Sequence, residues 1–330
     1  MAVFIRKMTC FLFVVLCISQ ALSMETVSSF QENDLKFIRE VFNKSGIILS
    51  EPLNVEEIRL DEGSAAVTRK LYRIKHSNRS YILKELEEII PAKHCQDVHK
   101  VSEFFKKNAL KPSAPQLILS LFTGSIVIDR ETKYFDLQPE AAGKSLSSLM
   151  NAFLSGEIDL DLVHCFSQIG STIGSLNLQG ATNHELISFN DFKSHYIHPD
   201  LHDENIFYEE SSGTISLIDL DLMSQALDQP SSVENQLKTI LRQSMRVFIL
   251  LLNDDGPGHA SQKKQIEAAT SEFLRSYAKC FEHGTDVSRV LKRIVAEVLD
   301  SAYLSMKNKG VPIIHESEKH SLIERLFMPS

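Results

Sequence analysis

Tryptophan is absent from this chain of 330 residues, and proline and glycine are sparse, with 10 and 13 residues. These low counts exclude collagen-like repeats and disordered chains rich in proline or glycine. Cysteine is also scarce: there are five, without a Cys-x-x-Cys pair, so we expect neither a disulfide framework nor a zinc knuckle. Basic residues do not dominate, since 35 Lys and Arg stand against 43 Asp and Glu, for a net charge of -8. Nucleic acid is therefore not an expected partner.

The chain is long enough to bury a large core without disulfides or metals, since hydrophobic residues make up 43% of it. Its length suggests two domains or one large protein with two lobes. Composition and pattern divide it into four parts: a signal peptide (residues 1–23), an N-terminal extension (24–50), an N-lobe (51–140) and a C-lobe (141–330).

The N-terminus has the pattern of a secretory signal. Arg6 and Lys7 precede an apolar run from Met8 to Leu22, which is short for a bilayer span. The small residues Ala21 and Ser23 predict cleavage before Met24 and therefore a secreted or exported protein. The alternative is an uncleaved leader that anchors the protein to a membrane.

Alternating apolar and polar residues predict a small antiparallel sheet after this leader. The predicted segments are a helix from Asn33 to Phe42, strands Val55–Leu60, Thr68–Lys75 and Ser80–Leu86, a helix from Pro91 to Ala109, and a hairpin of strands Leu117–Ile128 and Lys133–Gln138. From Gly143 onward, apolar residues recur with the helical period, as in Leu146, Leu149, Met150 and Phe153. The fold class expected is thus α+β, with a five-stranded N-lobe carrying one helix and a larger, mostly helical C-lobe.

A loop rich in histidine and aspartate interrupts the helical half. It contains His198, Asp200, His202 and Asn205, and a short hairpin then leads to Asp219 and Asp221. Phosphoryl transfer from a nucleotide needs one carboxylate facing the acceptor hydroxyl, and an amide oxygen with a second carboxylate to hold magnesium. Asp200, Asn205 and Asp219 supply these groups in that order.

The motif His-x-Asp-x-His-x-x-Asn, followed by Ile-Asp-x-Asp, resembles the aminoglycoside phosphotransferase and choline kinase family of protein-kinase-like enzymes. The resemblance implies a bilobal kinase-like fold and use of ATP and magnesium. By position, it makes Asp200 the catalytic base and Asn205 and Asp219 the magnesium ligands. Asp221 is a weaker candidate for substrate or second-metal contact, and His198 and His202 would position the loop.

The same resemblance assigns nucleotide-binding residues in the first lobe. Lys84, in the sequence Tyr-Ile-Leu-Lys, would contact the phosphates, and Glu103 would be its ion-pair partner. Gly63 and Ser64 begin the segment in the phosphate-loop position. The segment Phe135–Gln138, with Leu137, would be the hinge that lines the adenine pocket.

Two departures from the family pattern concern local hydrogen bonding. Pro199 stands where the family usually has glycine, and proline removes one backbone donor. The hinge reads Asp136-Leu-Gln in place of the common Met-Glu-Tyr. Neither departure removes a catalytic group.

The residues leave several functions open. The expected reaction moves the γ-phosphate of ATP to a hydroxyl of a small molecule such as an amino alcohol, an aminoglycoside or a sugar. Alternatives are a secreted kinase acting on a protein and an inactive kinase-like binding module. A different reading is a transition-metal site built from the acidic and imidazole groups of the loop, namely His195, His198, Asp200, His202 and Asp203. An exported kinase must also meet ATP, which is scarce outside cells.

Overall fold

A computed structural model describes residues 32–49, 53–58, 68–87, 91–182, 189, 192–252, 259–281, 286–308 and 316–328. The predicted leader and the segment with Gly63 and Ser64 lie outside the described residues. The predictions made for them therefore remain predictions.

The first lobe is built on an antiparallel sheet of five strands, with the order β1-β2-β3-β6-β5. Its elements are α1 (Glu32–Ser45), β1 (Asn54–Ile58), β2 (Thr68–His76), β3 (Arg79–Leu86), α2 (Pro91–Lys107), β5 (Phe122–Ile128) and β6 (Glu131–Pro139), with a short β4 (Gln116–Leu117) before β5. The expected five strands are present, and the alternation of apolar and polar residues in β2 and β3 located them within one or two residues.

The two faces of this sheet are covered differently. Helix α1 buries Phe37, Ile38, Val41 and Phe42 completely, and they form one core with the sheet residues on that face. Helix α2 lies over the other face, and its Val101 belongs to the core of the second lobe. Helix α1, in the predicted N-terminal extension, is thus part of the small lobe, and α2 links the lobes.

The prediction of one long strand from Leu117 to Ile128 is wrong. Strand β4 leaves the small sheet and pairs in parallel with a strand of the second lobe, where the Ile118 N–H donates to Leu217 O at 2.9 Å. Residues 118–121 make the connection, and the Leu121 N–H caps the edge by donating to Leu137 O at 2.8 Å. The apolar run looks continuous in sequence because Leu117 and Leu119 pack against the core of the second lobe, while Ile126 and Ile128 belong to the core of the first.

The second lobe is mostly helical. Its elements are β7 (Lys144–Ser145), α3 (Leu146–Ser155), α4 (Leu162–Gln179), β8 (Lys193–Ser194), β9 (Ile206–Glu209), β10 (Thr214–Leu217), a 3-10 turn (Leu220–Leu222), α5 (Met223–Asp228), β11 (Ser231–Ser232), α6 (Glu234–Leu252), α7 (His259–Lys279), α8 (Val287–Asn308) and α9 (Glu316–Leu326). Helices α4 and α7 pack closely at Gly170, where a β-carbon would collide with the backbone carbonyl of Phe273. Within the described residues, no helix is both long and apolar enough to span a membrane.

The segment that ends at Asp219 lies where the two lobes meet. A small sheet in the order β4-β10-β9-β7 supports it, and the chain enters this sheet from the first lobe through Gly143. Gly143 has a φ of 82° and lies against the Tyr208 backbone, so a side chain there would be both strained and obstructed. The protein therefore has the expected α+β, bilobal, kinase-like fold, in which Asp219 of the second lobe contacts Lys84 of the first.

Candidate active site

His198 connects the loop of residues 195–205 to the residue just before Asp219. Its side chain is completely buried, and ring Nε2 lies 2.8 Å from Ile218 O, the carbonyl just before Asp219. Burial lowers the pKa of this imidazole, so we assign a neutral ring that donates from Nε2. The bond joins the two halves of the motif, which are twenty residues apart in sequence.

Asn205 closes the loop around Asp200. Its Nδ2 donates to Asp200 O at 2.9 Å and lies 3.1 Å from His202 Nε2, while its backbone N–H donates to His202 O at 3.0 Å. These bonds orient the Asn205 amide, leaving Oδ1 as its cation-binding atom. The Asp200 side chain is 58% exposed, and its Oδ2 lies 3.8 Å from His202 Nε2.

Asp219 follows β10 in a left-handed backbone conformation, with a φ of 55°. Aspartate tolerates this conformation better than most residues, but it still costs roughly 1–3 kcal/mol and is concentrated at functional sites. The turn directs the Asp219 carboxylate across the interlobe space, where Oδ1 forms an ion pair with Lys84 Nζ of β3. The structure thus brings together Lys84 and Asp219, which are 135 residues apart.

Lys84 is buried among carboxylates. Burial would lower the pKa of its ammonium, but Asp219 and Asp136 outweigh that effect and raise it above the ordinary value. For Asp219, burial favours the neutral form, and Lys84 reverses this and lowers the carboxyl pKa. The pair is therefore charged at neutral pH, so that Lys84 can bind an anion and Asp219 a cation.

The structure does not form the expected ion pair between Lys84 and Glu103. Glu103 lies on the outer face of α2, where Lys106 Nζ is 3.3 Å and Lys107 Nζ 3.8 Å from its carboxylate. The buried face of α2 carries Val98 and Val101, and Glu103 lies two positions, or about 200°, beyond Val101. The helical phase of the apolar residues was the sequence signal that could have excluded Glu103.

Helix α2 instead contributes a histidine to the site. His94 Nδ1 lies 3.3 Å from Asp221 Oδ2, so α2 contacts the segment after Asp219 directly. Sequence reasoning missed His94, although it stands one turn before Val98 on the face of α2 that lines the interlobe cleft. Asp221, named as a weaker candidate for substrate or metal contact, has this histidine as its partner.

The predicted hinge is placed too early. Leu137 is fully buried within β6, and its carbonyl already accepts bonds from the Leu121 N–H and the Ser120 hydroxyl, at 2.8 Å and 3.3 Å. The chain leaves the sheet only after Glu140, whose N–H donates to Ser80 O. The passage between the lobes is therefore at residues 141–143, and Leu137 belongs to the core of the first lobe.

The chemistry of the donor set fits magnesium on nucleotide phosphates. Asn205 and Asp219 offer hard oxygen ligands, and Lys84 offers a cation beside them. For the alternative transition-metal site, two ring nitrogens are already engaged by backbone carbonyls: His195 Nδ1 lies 3.1 Å from the carbonyls of Ala226 and Leu227, and His198 Nε2 lies 2.8 Å from Ile218 O. Across the described ranges, no group of three or more His, Cys, Asp and Glu is placed to hold a metal ion.

Comparison with known proteins gives limited information. No model of a protein family matches the chain, and neither does any curated protein. Among solved structures, the chain is similar to one titled "WaaP in complex with acyl carrier protein", with 13% sequence identity and a TM-score of 0.40. The match covers 91% of this chain and 99% of that chain. A similarity this low assigns no activity or partner.

Proposed function

We propose that this protein is an ATP- and magnesium-dependent phosphotransferase whose acceptor is a hydroxyl group. The observation that carries the proposal is the contact between Lys84 and Asp219 across the two lobes, beside a loop in which Asn205 is hydrogen-bonded to Asp200. An ion pair that needs both lobes defines a site between them. Its residue types are those required to bind a nucleotide and transfer its terminal phosphoryl group.

Each side chain has a task that follows from its position. Lys84 would bind phosphate oxygens and offset their charge, and Asn205 Oδ1 with Asp219 would hold the magnesium ion. When bound, that ion neutralises charge on the phosphates. Asp200, whose carboxylate is exposed, would orient the acceptor hydroxyl and accept its proton as the oxygen attacks phosphorus.

We propose a small molecule as the acceptor, such as an amino alcohol, an aminoglycoside or a sugar, because the loop motif resembles enzymes of that group. A protein hydroxyl and a nucleotide-binding module without turnover are the competing outcomes. The predicted leader makes export, or attachment to a membrane by an uncleaved leader, part of the proposal. An exported or membrane-attached phosphotransferase would be active only in a compartment that contains ATP.

The test combines nucleotide binding with turnover. A ligand that binds only the folded protein raises its melting temperature, so MgATP should stabilise the purified full-length chain. Asp219→Asn should lose this stabilisation. Asp200→Asn should keep it but lose transfer to a panel of hydroxyl acceptors by about 10²–10⁴-fold, the usual contribution of a catalytic base. Asp203→Asn, three residues along the same loop, is the matched control and should keep both.

The outcomes separate the candidates. Stabilisation by MgATP without transfer to any small molecule or protein would identify a binding module. Transfer only to protein hydroxyls would identify a protein kinase. Absence of any magnesium-dependent stabilisation at millimolar ATP would reject the proposed function.

A further inference from the structure

With Glu103 on the outer face of α2, Lys84 lacks the partner expected from a helix. Such a partner holds a phosphate-binding lysine in position while the nucleotide is bound. Asp219 cannot do this alone, because the proposed function gives its carboxylate to magnesium. Another carboxylate must therefore stay beside Lys84 when Asp219 turns to the metal.

We infer that Asp136 of β6 is the positioning residue for Lys84, replacing the carboxylate that a helix would supply. Resting on the proposed function, this inference gives Asp136 no contact with substrate. Asp136 acts through Lys84 by holding the ammonium in place and directed at the phosphates.

Sheet register places the two side chains together. Lys84 and Asp136 are directly opposite each other in the antiparallel pair β3–β6, and directly opposed residues have β-carbons about 4.5–5.5 Å apart. Both are buried, with exposed fractions of 8% and 3%, and both line the same interlobe cleft with Asp219. Their proximity depends on backbone pairing within one sheet, so it does not require a contact between the lobes.

Asp136 also has unused binding capacity. Its Oδ1 is buried and accepts no hydrogen bond from the described residues. A buried carboxylate oxygen without a donor is costly, and a buried cation next to it offsets that cost. Lys84 is the ammonium on the neighbouring strand, and release from Asp219 would free it to turn toward this oxygen.

The charges in the cluster agree with this role. Burial raises the pKa of Asp136, while Lys84 acts to lower it, and in return Asp136 helps to raise the pKa of Lys84. The other charged or titratable groups facing them are Asp219, Asp221, His94 and the thiol of Cys95. Three carboxylates thus surround one lysine, so loss of Asp219 to a metal would still leave Lys84 a counter-ion.

The first test measures Lys84 without nucleotide. A small acylating reagent labels only the neutral amine, and peptide mass spectrometry then gives the labelling of Lys84 at each pH. Compared with the Asp219→Asn protein, the Asp219→Asn, Asp136→Asn double variant should label Lys84 at lower pH, because removal of a second carboxylate beside the ammonium lowers the lysine pKa.

Glu85→Gln is the matched control for removing a buried carboxylate. Glu85 is next to Lys84 in β3 but points to the opposite face, where Lys133 Nζ is 2.9 Å from its Oε1. In the Asp219→Asn background, Glu85→Gln should leave the Lys84 labelling curve in place. An unchanged curve in the Asp136→Asn double variant, or an equal shift in the Glu85→Gln double variant, would overturn the inference.

The second test uses MgATP and the single variants. Asp136→Asn should weaken MgATP binding on the order of 10- to 100-fold, as losing an outer partner of a ligand usually does, whereas Glu85→Gln should not. Equal affinities for Asp136→Asn and wild type would overturn the positioning role. If the wild type binds no MgATP, the proposed function fails, and the labelling test alone decides whether Asp136 keeps Lys84 charged.

Discussion

The two faces of the small sheet each carry a lysine paired with a carboxylate, and the two lysines have different surroundings. Lys133 lies on the α1 face beside Glu85, in a pair with one lysine and one carboxylate from the same lobe. Lys84 lies on the cleft face with Asp136 in its own sheet and Asp219 in the other lobe. The Lys133–Glu85 pair contains one positive and one negative charge, both in the first lobe. Around Lys84 there are more carboxylates than cations, and the Lys84–Asp219 contact joins the two lobes. A site that binds a further cation requires such an excess of negative charge.

Breaking the Lys133–Glu85 pair tests its structural role and should have the largest effect on stability. Lys133→Met would leave Glu85 charged and uncompensated, since its side chain is only 2% exposed. Removing one partner of a buried pair usually costs about 3–5 kcal/mol, so the free energy of unfolding in urea should fall by that amount. MgATP affinity of the folded variant should stay at the wild-type value. Loss of affinity without loss of stability would contradict the contrast between the two faces.

Breaking the Lys84–Asp219 pair in the interlobe cleft should instead lower the rate of phosphoryl transfer. Lys84→Met removes the cation proposed to offset charge on the phosphates, and losing one such group typically lowers turnover by about 10²–10³-fold. Turnover at saturating and at limiting MgATP measures the effect, with Lys133→Met as control. If the two variants lose activity equally after correction for the folded fraction, the distinction between the faces fails.

The pH dependence of stability sharpens the contrast further. Burial raises the pKa of Asp136 in the folded state. Such a carboxyl contributes stability below its unfolded pKa, near 3.9, and that contribution is lost as pH rises through the folded value. Urea unfolding at a series of pH values from acid to neutral should show this loss in wild type and not in Asp136→Asn. At neutral pH, Asp136→Asn should therefore be at least as stable as wild type.

Glu85→Gln should behave in the opposite way at neutral pH, because it removes half of a balanced pair and lowers stability. A neutral-pH stability of Asp136→Asn well below that of wild type would show that Asp136 serves the fold in the same way as Glu85. The opposite signs would show that Asp136 is kept at some cost to stability, as functional carboxylates often are.

The sequence predicted those parts of the site that are set by local spacing. Asp200 and Asn205 share one closed turn, and Asp219 follows a short hairpin, so their order and separation were visible without any tertiary information. The strands of the small sheet were visible for the same reason, because alternation of apolar and polar residues is a local pattern. Its five-stranded architecture and the helical second lobe followed from these patterns.

What the sequence did not predict depends on packing between distant segments. Glu103 is an exception: the family resemblance assigned it to Lys84, although the spacing of the apolar residues Val98 and Val101 already put it on the opposite side of α2. The same resemblance assigned Leu137 to the hinge, whereas the end of β6 depends on Ser80 and Leu121, which bond to it from other parts of the chain. The pairing of Lys84 with Asp136 spans 52 residues and depends on register, which no local spacing reveals.

A carboxylate that only caps a helix, Asp161, should give the smallest effect on stability when it is replaced. Asp161 precedes α4, and its Oδ1 accepts the His164 N–H at 2.9 Å, which satisfies one of the free donors of the first turn. Asp161→Ala should lower the free energy of unfolding by about 1 kcal/mol, the usual cost of losing such a cap. Asp161→Ser, which can still cap the helix, should recover most of that loss. Neither change should alter MgATP binding or turnover, because this carboxylate serves one helix end. If an Asp161 variant lost nucleotide binding, the partners and the position of a carboxylate would not distinguish functional from structural carboxylates in this protein.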